Sequence, residues 1–482
     1  MSDDRKKLVG LFKDTNLYAN FGPIIKTISI NGFRGLNHLK IDFEYPITAI
    51  SGTNGSGKST VGQLVSCAYK QPKTNKKYAR RYIKDFFPVS QLDPNPFSSD
   101  ASVKFQYATN TSQLQDLTVK RAIKEWSGYS RQPERHCFYV GFAIYIPKVE
   151  RKDVSIYGSA KFSVGVKRMI SDEIRSKVSH ILNNSYDEVA FQSINHKNKN
   201  VELGMVSKYG YSYTENHMGF GEGRLMYLID LLENEPNNSL FVLEEPETSL
   251  HEDAQFKLIK YLMDVCVRKK HQIILSTHSS IILEALPPEG RKFILRNKNG
   301  VKILDRISGS RAKSILTDGQ TKALTICVED DFAKHLLTES IRKIKPELLS
   351  SISINPMGDT QAVANAVKLL LSMSVKVIGV RDADIGENKT NKLFSLPGKL
   401  PPEKEVYDNQ QVREKLNNHY NFDIETIFSG YTGIDHHYYG EILSKSGNCS
   451  EEAMHLKAIE SYLSIIDLRL FENLIKILES EI

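Results

Sequence analysis

A chain of 482 residues, 40% hydrophobic and 25% charged, has an ordinary globular composition and is long enough for two or three domains. No stretch approaches the ~20 uninterrupted apolar residues of a membrane span, and no signal-like apolar core follows Met1-Ser2-Asp3-Asp4-Arg5-Lys6-Lys7, which predicts a cytoplasmic protein with no membrane partner. Five scattered cysteines without a CxxC pair exclude a disulfide scaffold and argue against zinc, while a net charge of +7 leaves a polyanionic partner open.

After an N-terminal segment (residues 1–23), strand-like alternation runs over Ile25–Ile30 and Leu39–Phe43, punctuated by Asn31-Gly32 and Arg34-Gly35. The β-rich run Ile47–Ser51 then enters Gly52-Thr53-Asn54-Gly55-Ser56-Gly57-Lys58-Ser59, and a helical pattern leaves it from Thr60. Such a loop turns its backbone N–H groups, here from Asn54 to Thr60, around a polyphosphate. Lys58 supplies a point charge to the β- and γ-phosphates and Ser59 a hydroxyl for Mg²⁺, at the positive end of a helix. The strand, loop and helix together predict binding of a nucleoside triphosphate.

Lys70, Lys73, Lys76, Lys77, Arg80, Arg81 and Lys84 interleave with Tyr69, Tyr78 and Tyr82. This cluster suits either contact with nucleic acid or a solvated surface. Residues 70–160 lack clean periodicity and read as an inserted lobe with strands near Val103–Tyr107 and Phe138–Ile146. The spacing predicts a helix over Phe162–Leu182 and another over Leu225–Leu232, after a glycine-rich turn. Ser239–Leu243 and Gln272–Ser276 are continuous apolar runs, typical of buried parallel strands, with a helix predicted over Ala254–Val267 between them.

The first of those strands delivers Glu244 and Glu245 to the edge where α/β folds bind ligands. Phosphoanhydride hydrolysis needs one carboxylate near Mg²⁺ and another to orient or deprotonate water, the roles these two acids fit. Leu275-Ser276-Thr277-His278-Ser279 closes the second strand with a histidine able to reach a γ-phosphate.

Residues 306–320 read as a linker, and a second α/β pattern follows over 321–410. Its strands are Leu324–Val328, Ser351–Asn355 and Lys376–Val380, and its helices Phe332–Ile344 and Ala362–Met373. Val328-Glu329-Asp330-Asp331 and Arg381-Asp382-Ala383-Asp384 close the first and third strands. Parallel strands would bring these acids to one edge, an oxygen-ligand site suited to Mg²⁺ or Mn²⁺. Alternatively, such acids cap the helices that follow. Residues 411–482 are mostly helical by pattern, clearest over Ala453–Ile466 and Leu468–Leu478.

The constellation over residues 24–305 resembles the ABC-type ATPases of the SMC, RecF and OLD group. Ile30-Asn31-Gly32-Phe33-Arg34-Gly35 looks like that group's first strand and turn, and Glu244-Glu245-Pro246-Glu247 with Leu250-His251 is especially like its OLD and RecF branch. The resemblance implies ATP with Mg²⁺, Glu245 as catalytic glutamate, His278 as switch histidine, and a homodimer or higher oligomer. It also implies a signature loop acting on the partner's nucleotide, here Met218-Gly219-Phe220-Gly221-Glu222, with glycine where the group has serine. Glu329, the turn Met357-Gly358-Asp359 and Asp382-Ala383-Asp384 resemble a TOPRIM domain. That likeness implies a metal site at Glu329, Asp382 and Asp384, with Glu329 in acid–base chemistry. Two positions depart from the pattern: Asp330 stands where glycine is common, and Ala333 where OLD nucleases often carry an acid. The expectation is an α/β protein, an ABC-type ATPase head with an inserted lobe, then a TOPRIM-like parallel domain and a short helical C-terminus. Its implied role is DNA cleavage in anti-phage defence of the OLD, Septu or retron-effector kind. The alternative is a sensor subunit whose degenerate TOPRIM-like domain controls a separate nuclease.

Overall fold

The computed structural model describes residues 4–482 except 14, 74–77, 112, 123–124, 147–161, 197–198, 299 and 432, so Lys76 and Lys77 of the basic cluster lie outside the described residues. It divides into two compact units, residues 1–312 and 313–482. In the first, β1 (Ile25–Phe33), β2 (Leu39–Asp42) and β3 (Ile47–Gly52) precede α1 (Lys58–Ser66). Next come β4 (Phe97–Tyr107), β5 (Gln115–Ala122), β6 (Glu125–Ser127), β7 (Cys137–Val140) and β8 (Ser163–Met169), then α2 (Asp172–Leu182). The strands β9 (Glu188–His196), β10 (Lys199–Lys208) and β11 (Tyr211–Thr214) lead to α3 (Phe220–Asn234). The unit continues with β12 (Leu240–Glu244), α4 (Glu252–Lys269), β13 (Gln272–Ser276), β14 (Arg291–Asn297) and β15 (Gly300–Asp305).

The six-stranded sheet β15-β14-β3-β13-β12-β7 positions the site. Its strands β14, β3, β13, β12 and β7 are mutually parallel, and β3 and β13 are buried along their whole length. Strands covered on both faces must be apolar throughout, which is why they read as continuous runs. Register aligns Glu244 with Ser276 and Ser276 with Ile50, so the acids and the phosphate loop share one row at the carboxyl edge. A second sheet, β2-β1-β4-β5-β6, is antiparallel, and β8 to β11 form a third, a meander.

The segment read as a lobe thus supplies strands to two sheets: β4 pairs with β1, and β7 with β12. The strand expected over Phe138–Ile146 ends at Val140, where Gly141 and a 3-10 turn over Phe142–Ile144 follow. The helix expected over Phe162–Leu182 is half strand. Val164 and Val166, β-branched around Gly165, disfavour a helix, and Val164 pairs with Ile194 of β9. The helix begins only at Asp172, where the Ser171 hydroxyl accepts the N–H of Ile174 at 3.3 Å.

Across the unit boundary lies α5 (Gly309–Leu316), in the stretch read as a linker. The second unit comprises β16 (Leu324–Val328), α6 (Asp331–Ile344), β17 (Ile352–Pro356), α7 (Thr360–Ser372), β18 (Val377–Arg381) and β19 (Leu393–Ser395), followed by helices. Its sheet, β17-β16-β18-β19, is parallel throughout, an arrangement compatible with a TOPRIM-like domain. Ile326, Val328, Ile378 and Val380 form one core with Met454, Ile459, Leu474 and Leu478 of the C-terminal helices.

Candidate functional site

The phosphate loop is shaped by two glycines that no other residue could replace without strain. Gly52 (φ 153°) would place a Cβ 2.7 Å from the Ile294 carbonyl oxygen, and Gly57 (φ 112°) one 2.8 Å from Leu36. Gly55 has nothing within 4 Å of its Cβ position, and Asn54, Gly55 and Ser59 form the exposed rim. Ser56 and Thr60 are buried beneath it. The Lys58 ammonium is folded back, donating to the carbonyl oxygens of Gly52 (2.8 Å) and Thr53 (3.0 Å). Burial lowers its pKa, opposed by the charges of Glu245 and Glu247.

Glu244 reaches this loop from β12. Its Oε1 is buried without a hydrogen-bond donor, beside Lys58 and Ser59, as a carboxylate that meets a cation would be. Glu245 leaves the strand in a left-handed conformation (φ 42°), its N–H donating to the Ser276 carbonyl at 3.1 Å. That turn brings its Oε1 to 3.5 Å from His278 Nε2. Burial, then the charge of Lys58, depresses the His278 pKa, opposed by the charge of Glu245. Loop, paired acids and histidine therefore converge on one edge.

Two residues of this edge had no role in the sequence reading: Glu247, quoted there only within its motif, and Arg224, not singled out at all. Glu247 is 8% exposed and accepts hydrogen bonds from Thr277 Oγ1 and from the His278 N–H (3.1 Å), so it fixes the histidine's backbone. Burial raises its pKa. Arg224 donates through Nη2 to the Glu244 carbonyl and lies in the field of Glu247, Glu245 and Glu244. Its signal was available: it is the lone basic residue of α3, three positions past Gly221.

The glycine turn before α3 divides its residues. Gly219 has open space at its Cβ position, whereas a Cβ on Gly221 would lie 2.4 Å from the Ser249 carbonyl. Glu222 turns the other way, accepting from Tyr186, from Lys208 (3.1 Å) and from Tyr213 (2.9 Å). In the basic cluster, Arg80 donates to Gln132 and to the Tyr129 carbonyl, and Tyr82 meets the Tyr129 ring edge-on at 5.2 Å. Tyr69 is buried, its hydroxyl donating to the Pro23 carbonyl.

In the second unit, parallel register brings Glu329 and Asp382 together. Glu329 Oε1 accepts the Asp382 N–H at 3.1 Å, and its Oε2 accepts from Thr360 Oγ1 at 2.9 Å, a contact the sequence did not suggest. Asp382 is 7% exposed, and its Oδ1 has no donor. Burial, and then Glu329, Asp330 and Asp384, push its pKa up to about 7. Asp384 is exposed. Asp330 caps α6, its Oδ1 accepting the Ala333 N–H at 2.7 Å, and Asp359 caps α7 in the same way.

Residues 27–203 match a family model described as an AAA domain, and residues 156–283 one described as an AAA ATPase domain. No curated protein matches the chain. Among solved structures, the SMC head domain from Thermotoga maritima is 18% identical with a TM-score of 0.35, covering 58% of this chain and 98% of that one. An Smc head with an extended coiled coil, bound to the C-terminal domain of ScpA and derived from Pyrococcus furiosus, is 13% identical with a TM-score of 0.38, covering 61% and 99%. No helix among the described residues is long and apolar enough to cross a membrane. The phosphate loop facing Glu244, Glu245 and His278, within residues matched by two ATPase-domain models, makes the first unit an ATP-binding ATPase domain.

Proposed function

We propose that this chain is a cytoplasmic ATPase of the SMC, RecF and OLD type. In this reading ATP-dependent dimerisation of the first unit controls metal-dependent cleavage of DNA by the second, in anti-phage defence. The observation that carries the nuclease half is the juxtaposition of Glu329 with Asp382, whose buried Oδ1 lacks a donor. A buried oxygen of that kind is a ready cation ligand.

On ATP arrival, Lys58 exchanges the Gly52 and Thr53 carbonyls for phosphate oxygens. Ser59 and Glu244 would hold Mg²⁺, which when bound offsets phosphate charge. Glu245 takes a proton from the attacking water, while His278 donates toward the γ-phosphate. Gly219, open at its Cβ position, offers its backbone to the nucleotide of a second copy. In the second unit Glu329, Asp382 and Asp384 would hold Mg²⁺ or Mn²⁺, whose Lewis acidity stabilises charge on a scissile phosphate. The Asp382 N–H and Thr360 orient Glu329 for proton transfer.

The second reading is a regulatory subunit that governs a separate nuclease. It is favoured by Asp330 serving as a helix cap and by Ala333, which offers no ligand. Plasmid cleavage with Mg²⁺ or Mn²⁺ separates the two. Nicking that Asp382→Ala removes, while ATP binding persists, supports the nuclease. A wild-type protein that cuts no DNA with either metal overturns it in favour of the regulatory subunit.

A further inference from the structure

The second unit holds a set of donor atoms that neither the ATPase nor the cleavage chemistry uses. The short helix α8 (Pro402–Tyr407) places Glu403 2% exposed, and no hydrogen-bond donor reaches its Oε2. The Asp330 carboxylate is its neighbour, and this burial beside a like charge pushes the Glu403 pKa strongly upward. A 3-10 turn over His436–Tyr438 closes on the same spot. Asp435 Oδ1 accepts the His437 N–H at 3.1 Å, which sets His437 Nδ1 3.3 Å from Glu403 Oε1 and 4.0 Å from Asp330 Oδ2. The His436 ring lies beside that of His437, centroids 4.1 Å apart.

One ligand atom from each of Glu403, His436 and His437 lies within 4.8 Å of the others. Donors each ~2.1 Å from a shared ion span at most about 4.2 Å, so small side-chain rotations complete the set. Glu403 and His437 also line a cavity of about 610 Å³, through which an ion can enter. Imidazole nitrogen with one buried carboxylate matches zinc-like ions and suits Mg²⁺ poorly, since the latter takes oxygen donors.

We propose that Glu403, His436 and His437 form a binding site for a first-row transition-metal ion of the Zn²⁺ class, beside the oxygen-ligand edge at Glu329, Asp382 and Asp384 but built from a different donor set. Asp435 Oδ1, 3.2 Å from His436 Nδ1, and Asp330 Oδ2, 4.0 Å from His437 Nδ1, are further oxygens beside the donors, and an ion there would relieve the opposition of Asp330 to Glu403. The scattered cysteines argue against a thiolate site, but this donor set uses none. The site does not depend on nuclease activity, since a catalytically inert second unit would keep all three donors.

The test is equilibrium dialysis of the full chain, stripped with chelator, against Zn²⁺ in excess Mg²⁺, followed by elemental analysis. The wild type should hold about one Zn²⁺ more per chain than the double variant His436→Ala/His437→Ala, whose affinity should fall at least tenfold. Both histidines are at least partly exposed, so the double variant should fold. Glu403→Gln gives a second readout: it should raise the melting temperature of the metal-free protein and abolish the rise that Zn²⁺ produces in the wild type. Equal Zn²⁺ content in the wild type and the histidine variant overturns the site. So does a Zn²⁺-induced melting shift that survives Glu403→Gln.

Discussion

Both units end their parallel strands in acids, yet the two edges differ in what surrounds those acids. At the edge of the first, acids alternate with cations: Lys58 lies in the field of Glu245 and Glu247, Arg224 in that of all three glutamates, and His278 is 3.5 Å from Glu245. At the edge of the second, Glu329, Asp382, Asp330 and Glu403 crowd together, held by backbone N–H groups, Thr360 and His437. The first edge is a near-neutral frame whose lysine, Lys58, is held by the Gly52 and Thr53 carbonyls at the phosphate loop. The second has an excess of negative charge that a divalent cation would balance. One topology therefore presents two edges of opposite electrostatic character, and the neighbouring side chains decide which.

Removing the loop lysine breaks the contrast most severely. Lys58→Ala should abolish ATP binding in a nucleotide titration, because each charge-assisted hydrogen bond to phosphate contributes about 1.5–3 kcal/mol. Metal uptake by the second unit should be unchanged. Glu245→Gln should retain ATP but lower the hydrolysis rate by about 10²–10⁴-fold, the range for a positioned general base. Wild-type turnover by that variant would move the catalytic role elsewhere, with Glu247 the next candidate.

The crowded edge makes a thermodynamic prediction of the opposite sign to ordinary acid denaturation. Asp382 binds its proton more tightly folded, at about 7, than at its ordinary 3.8. The folded state then carries more protons between those values, so stability falls as pH rises from about 4 to 7 and stays low above. In chelator, Asp382→Asn should therefore be more stable than the wild type at pH 8, by up to about 4 kcal/mol, and the gain should vanish near pH 4. Denaturant melts at the two pH values test this, and a variant less stable at pH 8 would refute the crowding. The smallest effect belongs to the basic cluster. Arg81→Glu with Lys84→Glu should lower the salt slope of DNA binding by about one unit per lost phosphate contact. An unchanged slope would make these residues ordinary solvated surface.

The first edge was nearly complete in the sequence because its parts are contiguous. Loop, paired acids and histidine each sit at the end of an unbroken apolar run, and parallel register does the rest. The α/β alternation of the second unit was equally plain, since Leu324–Val328 and its successors carry the same signature. The stretch Ser163–Met169 misled because it is a strand of the meander whose valines are exposed: Val164 is 65% and Val166 80% accessible. With no buried face, its period shows only once β9 pairs with it. Glu403, His436 and His437 were silent for a different reason. Their meeting depends on how the C-terminal helices pack, which no local spacing encodes, just as Thr360 gives no sign that it will face Glu329.

The shared core of the second unit carries a consequence for synthesis. Val328 and Val380, which carry the acidic strand ends, are buried among residues as late as Leu474 and Leu478. The residues of the first unit leave the ribosome before these, and domains generally fold in that order. During elongation an ATPase fold can thus form while the acidic strands still lack their helical cover, their closure waiting on distant contacts that form slowly. A cell making this protein would hold a nucleotide-binding chain for some time before the acidic edge of the second unit was complete.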